Sequence, residues 1–283
     1  MKNIGSNGQK RLLTIQDISC VGQCSLTVAM PIISSFGIET AVLPSAVLST
    51  HTGCWKGFTF RDLTDDIPMI ASHWKENGIF FDALYTGYIG NARQVDMILG
   101  IRKSLLNPDA PIITDPAMAD NGVLYTGFDS CFVKDMRRLV CGSDYVLPNI
   151  TEAAMLTGSE YRESYGEGYI EELSRGLISL GAKTVILTGV CFEPDKIGVY
   201  VYDGKHSKYC SQDKLSYSMH GTGDVYASVF SGSLVSGSEA FEAAKIAAVF
   251  TRDAMMNTPS DHNYGVNFEG ILNKITAMRR QGR

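Results

Sequence analysis

The chain has 283 residues, 45% of them hydrophobic, enough to bury a large core in one α/β unit. A formal charge of -5 and a pI near 5.6, with basic residues scattered except at Arg279-Arg280, leave no positive footprint for nucleic acid or an anionic membrane. No stretch nears eighteen uninterrupted apolar residues, the opening MKNIGSNGQKR lacks the apolar centre of a signal peptide, and seven cysteines include no C-x-x-C pair; a cytoplasmic protein with reduced, mostly buried thiols is expected, without a disulfide framework or a zinc knuckle.

A polar arm over residues 1–10 is expected to be flexible and to precede a single domain over residues 11–283. RLLTIQDIS (11–19) reads as a buried strand that opens into the small-residue loop CVGQC and then an apolar helix, SLTVAMPIISSFG, stopped by Gly37. ETAVLPSAVL (39–48) is a second strand, THTGCWKGF (50–58) a loop, and LTDDIPMIASHWKENG (63–78) an amphipathic helix with Thr64 as its N-cap. Strands FDALYTGYI (81–89), APIITDPAM (110–118) and DYVLPNI (144–150) then alternate with helices ARQVDMILGIRKSLL (92–106), FVKDMRRLV (132–140) and EAAMLTG (152–158). GYIEELSRGLISLGA (168–182) is helical and TVILTGV (184–190) a strand. Short apolar strands alternating with helices predict a mainly parallel sheet covered by helices on both faces.

KIGVYVYDGKHSKYCSQ (196–212) breaks the rhythm: two period-2 runs flank Asp203-Gly204, which predicts an antiparallel edge hairpin. Two more helices follow, SEAFEAAKIAAVFTRDAMMN (238–257) and FEGILNKITAMRRQ (268–281), and no internal repeat or linker divides the chain.

Common nucleotide signatures are missing. There is no G-x-x-x-x-G-K-[ST] and no H-x-x-x-H, and Tyr226 stands where a dinucleotide fingerprint starting at Gly221 needs its third glycine. SMHGTGDVYASVFSGSLVSG (218–237) offers something else. Its glycines let the N–H groups of Gly221, Thr222 and Gly223 converge at the positive end of a helix dipole, which makes an anion site. Asp224, at the rim, would be repelled by a bound polyphosphate unless it accepts a proton from an attacking hydroxyl. On spacing alone the other reading stands equally: Thr222 is an N-cap and Asp224 complements the dipole.

A second set of residues decides between them. TGYIGN (86–91), DPAMADNGVLY (115–125), LPNITEAAMLTG (147–158), VILTG (185–189) and HGTGD (220–224), in this order, resemble the ribokinase superfamily over residues 11–275. Together with LSTHTG (48–53), TGY is similar to the vitamin B6 (pyridoxal/pyridoxamine) kinases within it. The resemblance implies a ribokinase-like three-layer α/β/α sandwich with a mainly parallel central sheet and an antiparallel edge hairpin. It implies Asp224 as catalytic base, Gly221, Thr222 and Gly223 as anion hole, and Asp115 and Glu152 as the acids that organise Mg2+ and its waters. Asn149 and Thr188 fall where the family contacts the ATP phosphates; with Asp115 they lie at carboxyl ends of predicted strands, the rim where parallel sheets bind ligands.

On the acceptor side, Ser19, Thr52 and Tyr88 resemble the residues that hold the pyridine ring, and His51 stands beside Thr52 as a supporting partner. The family's ring-binding serine usually follows the first strand as Q-S; here Gln16 precedes Asp17-Ile18-Ser19, so Asp17 or Ser19 takes that place. A glycine-asparagine pair of the next loop appears as Cys24-Ser25.

The expectation is an ATP-dependent kinase that phosphorylates the 5′-hydroxymethyl group of pyridoxal, pyridoxine or pyridoxamine, with Mg2+, a potassium-type monovalent cation and a homodimeric state implied by the resemblance. Two alternatives stand beside it: a hydroxymethylpyrimidine kinase of thiamine synthesis, and a non-catalytic pyridoxal phosphate binder, which an eroded GTGD would have favoured. The polar segment over residues 205–219 is placed to fold over a nucleotide as a lid.

Overall fold

The structure is a computed structural model that describes residues 8–262 and 264–281; residues 1–7 of the expected arm lie outside the described residues. The chain opens with β1 (Arg11–Ser19), α1 (Leu26–Ser35), β2 (Glu39–Leu48) and β3 (Phe60–Asp62). It continues with α2 (Ile67–Glu76), β4 (Ala83–Thr86), α3 (Ala92–Ser104), β5 (Ile112–Thr114) and the small hairpin β6 (Ala119–Asp120) and β7 (Val123–Leu124). Then come α4 (Ser130–Val140), β8 (Tyr145–Val146), α5 (Ile150–Thr157), α6 (Glu167–Ser179) and β9 (Thr184–Val190). Strands β10 (Lys196–Tyr202) and β11 (Ser207–Asp213) precede α7 (Thr222–Val235), α8 (Ala240–Asn257) and α9 (Leu272–Gln281).

Among the described residues the main sheet has nine strands in the order β11-β10-β9-β8-β5-β4-β1-β2-β3. The six from β9 to β2 run parallel, and the antiparallel hairpin expected around Asp203-Gly204 forms one edge. Alternation within the strands feeds two cores. Leu13, Ile15 and Leu84 face one side with Val95, Ile98, Met136, Leu173 and Leu177, whereas Leu12, Ala83 and Tyr85 face the other with Ile32, Val225, Phe230, Ala247 and Ile275. Helices therefore cover both faces, which makes a ribokinase-like α/β/α sandwich.

The helix starts follow local chemistry. Asn91 caps α3 by accepting from the Gln94 N–H, Asp129 caps α4, and Asn149 with Glu152 forms a capping box on α5. Thr64 is not the cap of α2. The helix begins at Ile67 because Pro68, lacking an N–H, fits only a first turn. The Thr64 hydroxyl instead accepts from Asn91 Nδ2 and Gln94 Nε2 at 2.9 and 3.0 Å.

Other expectations change in detail. The central strands are shorter than the apolar runs, since Pro111, Pro116 and Pro148 flank β5 and β8. Strand β3, an exposed three-residue edge paired antiparallel to β2, has no alternation to reveal it. The thiols are not mostly buried: Cys20, Cys54, Cys131 and Cys141 are exposed, and Cys24, Cys191 and Cys210 half-buried. No helix among the described residues is long and apolar enough to cross a membrane.

Candidate active site

Carboxyl ends of parallel strands deliver most of the expected residues to one rim. Asp17 and Ser19 end β1, Tyr88 follows β4, Asp115 follows β5, Asn149 follows β8, and Thr188 lies in β9, bridged to Asn149. The N-terminus of α7 faces them from the segment after β11.

Gly221 is the N-cap of α7, in the left-handed region at φ 79, so Thr222 is the first helical residue and not the cap. A Cβ on Gly221 would strike the carbonyl oxygen of Gln23, in the loop between β1 and α1. The Thr222 hydroxyl donates to the Met219 carbonyl at 2.6 Å, closing the turn that leads in. Gly223 is exposed and a Cβ there would meet nothing within 4 Å, so the face of the helix N-terminus is open. The amides of this turn are thus held from behind and free in front, an arrangement suited to an oxyanion or phosphate.

Asp224 stands in that first turn. Burial pushes its carboxyl up to about 7 against the backbone N–H of Ser25, which stabilises the charged form, and the charge of Asp17 adds to the rise. A carboxyl poised there can accept a proton near neutral pH. Ser25 holds an uncommon backbone conformation for a residue with a side chain, φ 54 and ψ -130. It touches both acids: its hydroxyl hydrogen-bonds Asp17 and its amide serves Asp224.

Asp115 lies among like charges, its carboxyl raised well above the usual range by burial and by Glu152 and Asp224. Glu152 is 3% exposed and its oxygens are engaged: Oε2 accepts from Asn149 N–H at 2.9 Å, and Oε1 from Met118 N–H at 3.0 Å and Ala119 N–H at 3.5 Å. Burial nonetheless pushes it up to about 8. Among the described residues no three His, Cys, Asp or Glu side chains form a closed metal cage. That donor set fits Mg2+, which keeps waters and takes ligands from substrate phosphates beside one or two carboxylates. Glu152 orders the loop over residues 118–119 through these bonds, and Asp115 lies next to it.

Asn149 uses its amide oxygen as a helix cap and donates through Nδ2 to the Ala119 carbonyl at 2.7 Å, while Thr188 donates to the Pro148 carbonyl at 3.2 Å. Both side chains thus stiffen the rim.

On the acceptor side Tyr88 is half-buried, its ring 5.4 Å from that of Phe128, which stacks on Phe132 at 4.1 Å. Burial and the charges of Asp17 and Asp62 raise its phenol to about 12. Ser19, nearly fully buried, donates to Asp17 Oδ2 at 3.2 Å. Thr52 is exposed. His51 is buried: Nδ1 accepts from the Gly53 N–H at 3.1 Å, which leaves Nε2 to donate to the Tyr264 carbonyl at 2.9 Å. Its ring lies 5.2 Å from Trp55 and 5.3 Å from His220, so it fastens the Thr52 loop to the segment entering α7.

Three contributors escape the sequence. Ser25 links the two acids, Gln23 braces Gly221, and the Tyr125 phenol lies among Glu152, Asp120, Asp115 and Asp224. Of these only Ser25 carried a signal, the departure at Cys24-Ser25. An open cleft of about 450 Å3, lined by Pro194, Asp195, Lys214, Leu215, Ser216, Tyr217 and Ser218, lies on the hairpin side of α7.

Comparison with known proteins adds lineage to geometry. A family model described as phosphomethylpyrimidine kinase matches residues 75–267. A Bacteroides thetaiotaomicron protein provisionally named phosphomethylpyrimidine kinase is 36% identical, with 96% of each chain covered and a TM-score of 0.91; a second crystal form of it contains pyridoxal. Pyridoxal kinase from Lactobacillus plantarum is 30% identical over 96% of this chain and 98% of that one, with a TM-score of 0.88. Among curated relatives, a pyridoxal kinase of Rubrobacter xylanophilus is 28% identical over 261 residues, 87% of this chain and 86% of that one.

Proposed function

The chain belongs to the phosphomethylpyrimidine kinase family, and from that premise we propose that it transfers the γ-phosphoryl group of ATP to the 5′-hydroxymethyl group of a B6 vitamer. The observation that carries this reading is the pairing of a half-buried carboxyl, Asp224, with the open amide face at Gly221, Thr222 and Gly223. The acceptor hydroxyl gives its proton to Asp224 as its oxygen bonds to phosphorus and ADP leaves. The amides of residues 221–223 receive the charge that spreads over the phosphoryl oxygens. Asp115 and Glu152 would organise Mg2+ and its waters, with Asn149 fixing the adjoining loop, and the ion would supply neutralisation of phosphate charge. Thr188 keeps the β9 side of the phosphate path in place, and the cleft along Lys214 and Ser218 takes the rest of the nucleotide.

Tyr88 forms a wall for the acceptor ring, Ser19 and Thr52 provide hydroxyl contacts, and His51 holds the Thr52 loop. Pyridoxal in the 37% identical Bacteroides protein supports a B6 acceptor. The same reading carries a cytoplasmic homodimer and a potassium-type activating cation. ADP release measured with ATP, Mg2+ and a panel of pyridine and pyrimidine alcohols tests it. The family description favours one rival, hydroxymethylpyrimidine as acceptor; much faster turnover of that alcohol than of any B6 vitamer would put the rival in place of the proposal.

A further inference from the structure

Asp17 has no task in the chemistry above, yet it is 6% exposed and ends β1 beside the acceptor wall. The pairing of β1 with β2 slips at Asp17, where two residues of β2, Ser45 and Ala46, stand opposite it, so the regular ladder is interrupted beside its side chain. Its partners are hydroxyls: Ser19 Oγ donates at 3.2 Å, and Ser25 bonds it from the far side of the loop. Among the described residues no Lys, Arg or His acts on its carboxyl. Its charge reaches Asp224, Tyr88 and Cys24, two acidic neighbours and a thiol, none of which can neutralise it.

A buried carboxylate with two hydroxyl partners and no counter-ion is unfavourable, and an adjacent carboxylate makes it worse. A serine at this place would accept a hydrogen bond from any acceptor without that penalty. What the carboxylate adds is preference for a donor that carries positive charge, since charge-assisted hydrogen bonds are about twice as strong as neutral ones. The link through Ser25, whose hydroxyl serves Asp17 and whose amide serves Asp224, sets this group on the same side of the site as the base. The Tyr88 ring suits the flat face of a small aromatic ring.

We propose that Asp17 selects the acceptor by charge, its carboxylate taking the N–H of a protonated ring nitrogen on a flat hydroxymethyl heteroaromatic alcohol. This rests on the acceptor site proposed above and adds the substrate class. The ion pair is the same by either route: a carboxylate receives a pyridinium-type N–H, or a neutral carboxylic acid hands its proton to a neutral ring nitrogen.

The test uses two acceptors of the same shape, pyridoxine and the isostere in which the ring nitrogen is replaced by C–H. Wild-type protein is expected to favour pyridoxine in kcat/KM, and Asp17→Asn and Asp17→Ser are each expected to shrink that ratio by about 10-fold or more. ATP affinity and Tm, followed in parallel, show whether each variant is folded. Equal wild-type turnover of the two alcohols overturns the proposal with no variant needed. A loss that is the same for both alcohols in the variants also overturns it, because a merely structural role lowers both alike. Phosphorylation of neither alcohol by wild-type protein overturns the proposed function, and this inference with it.

Discussion

Gly221 packs directly against the main-chain carbonyl of Gln23, so the turn that starts α7 is braced by a backbone atom that cannot rotate away. Its φ of 79 adds a second reason for glycine. Gly221→Ala is therefore expected to destabilise the protein by roughly 1–3 kcal/mol. Gly223→Ala, whose Cβ meets open space, should leave Tm within about a degree or two of wild type while removing most turnover, because the methyl occupies the phosphate path. Thermal unfolding and ADP release on the two variants check this; equal losses of stability would contradict the open face assigned to Gly223.

Glu152 and Asp115, both acids of the site, should separate in the same way. Three backbone N–H groups depend on the Glu152 carboxylate, including one arm of the α5 capping box. Glu152→Ala is expected to cost roughly 2–4 kcal/mol of folding stability. Asp115→Asn removes charge from a crowded acidic cluster and is expected to keep or raise Tm while weakening the Mg2+ dependence of turnover. Denaturant titration and activity against Mg2+ concentration distinguish the two outcomes.

Asp224→Asn is expected to lower kcat by about 10²–10⁴-fold while ATP affinity holds, the signature of a lost general base. The pH dependence has a definite sign. The folded carboxyl is raised from 3.8 to about 7, so the folded state keeps a proton that the unfolded state releases. The stabilising contribution is present below the lower value and is lost as pH rises through the upper one. Ligand-free wild type should thus lose Tm relative to Asp224→Asn between about pH 4 and pH 7. In the same window kcat/KM of wild type should fall as pH drops and the base is protonated. A Tm difference that stays flat with pH counts against the buried carboxyl.

Tyr88→Ala should act on the acceptor alone. Loss of an aromatic wall costs on the order of 1–3 kcal/mol, by analogy with base stacking, so KM for pyridoxal or pyridoxamine is expected to rise roughly 5- to 150-fold. ATP affinity should stay near wild type. Weaker ATP with an unchanged acceptor KM would move the pocket to the other end of the cleft.

The expected lid contracts on structural grounds. Every residue of β11 from Ser207 to Asp213 pairs with β10, so this part of the segment is held in a backbone ladder. Protection from hydrogen exchange on adding ATP is therefore expected in residues 214–219, of which 214–218 line the open cleft, with little change in β11. Absence of any ATP-dependent protection there removes the lid.

Much of this protein is legible in one dimension, because hydrophobic period and turn chemistry are local. The spans of β1, β2 and β9, the Asp203-Gly204 hairpin and the α/β alternation follow from side-chain patterns within each segment. HGTGD likewise sets its glycines and its acid in adjacent residues at the start of α7. Other features depend on parts of the chain that meet only after folding. The Thr64 hydroxyl, expected to cap α2, instead accepts from Asn91 and Gln94 at the start of α3. That the Glu152 oxygens accept from amides of the loop at Met118 and Ala119 is visible only once that loop is folded over α5. The contact of Gln23 with Gly221, and the bridge of Ser25 between Asp17 and Asp224, exist only because the sheet sets the end of β1 against the start of α7. Sequence thus determined which chemical groups the protein owns and the elements that carry them; tertiary packing decided which acids share a hydrogen-bond donor, and burial there, which no local pattern encodes, sets how readily they hold a proton.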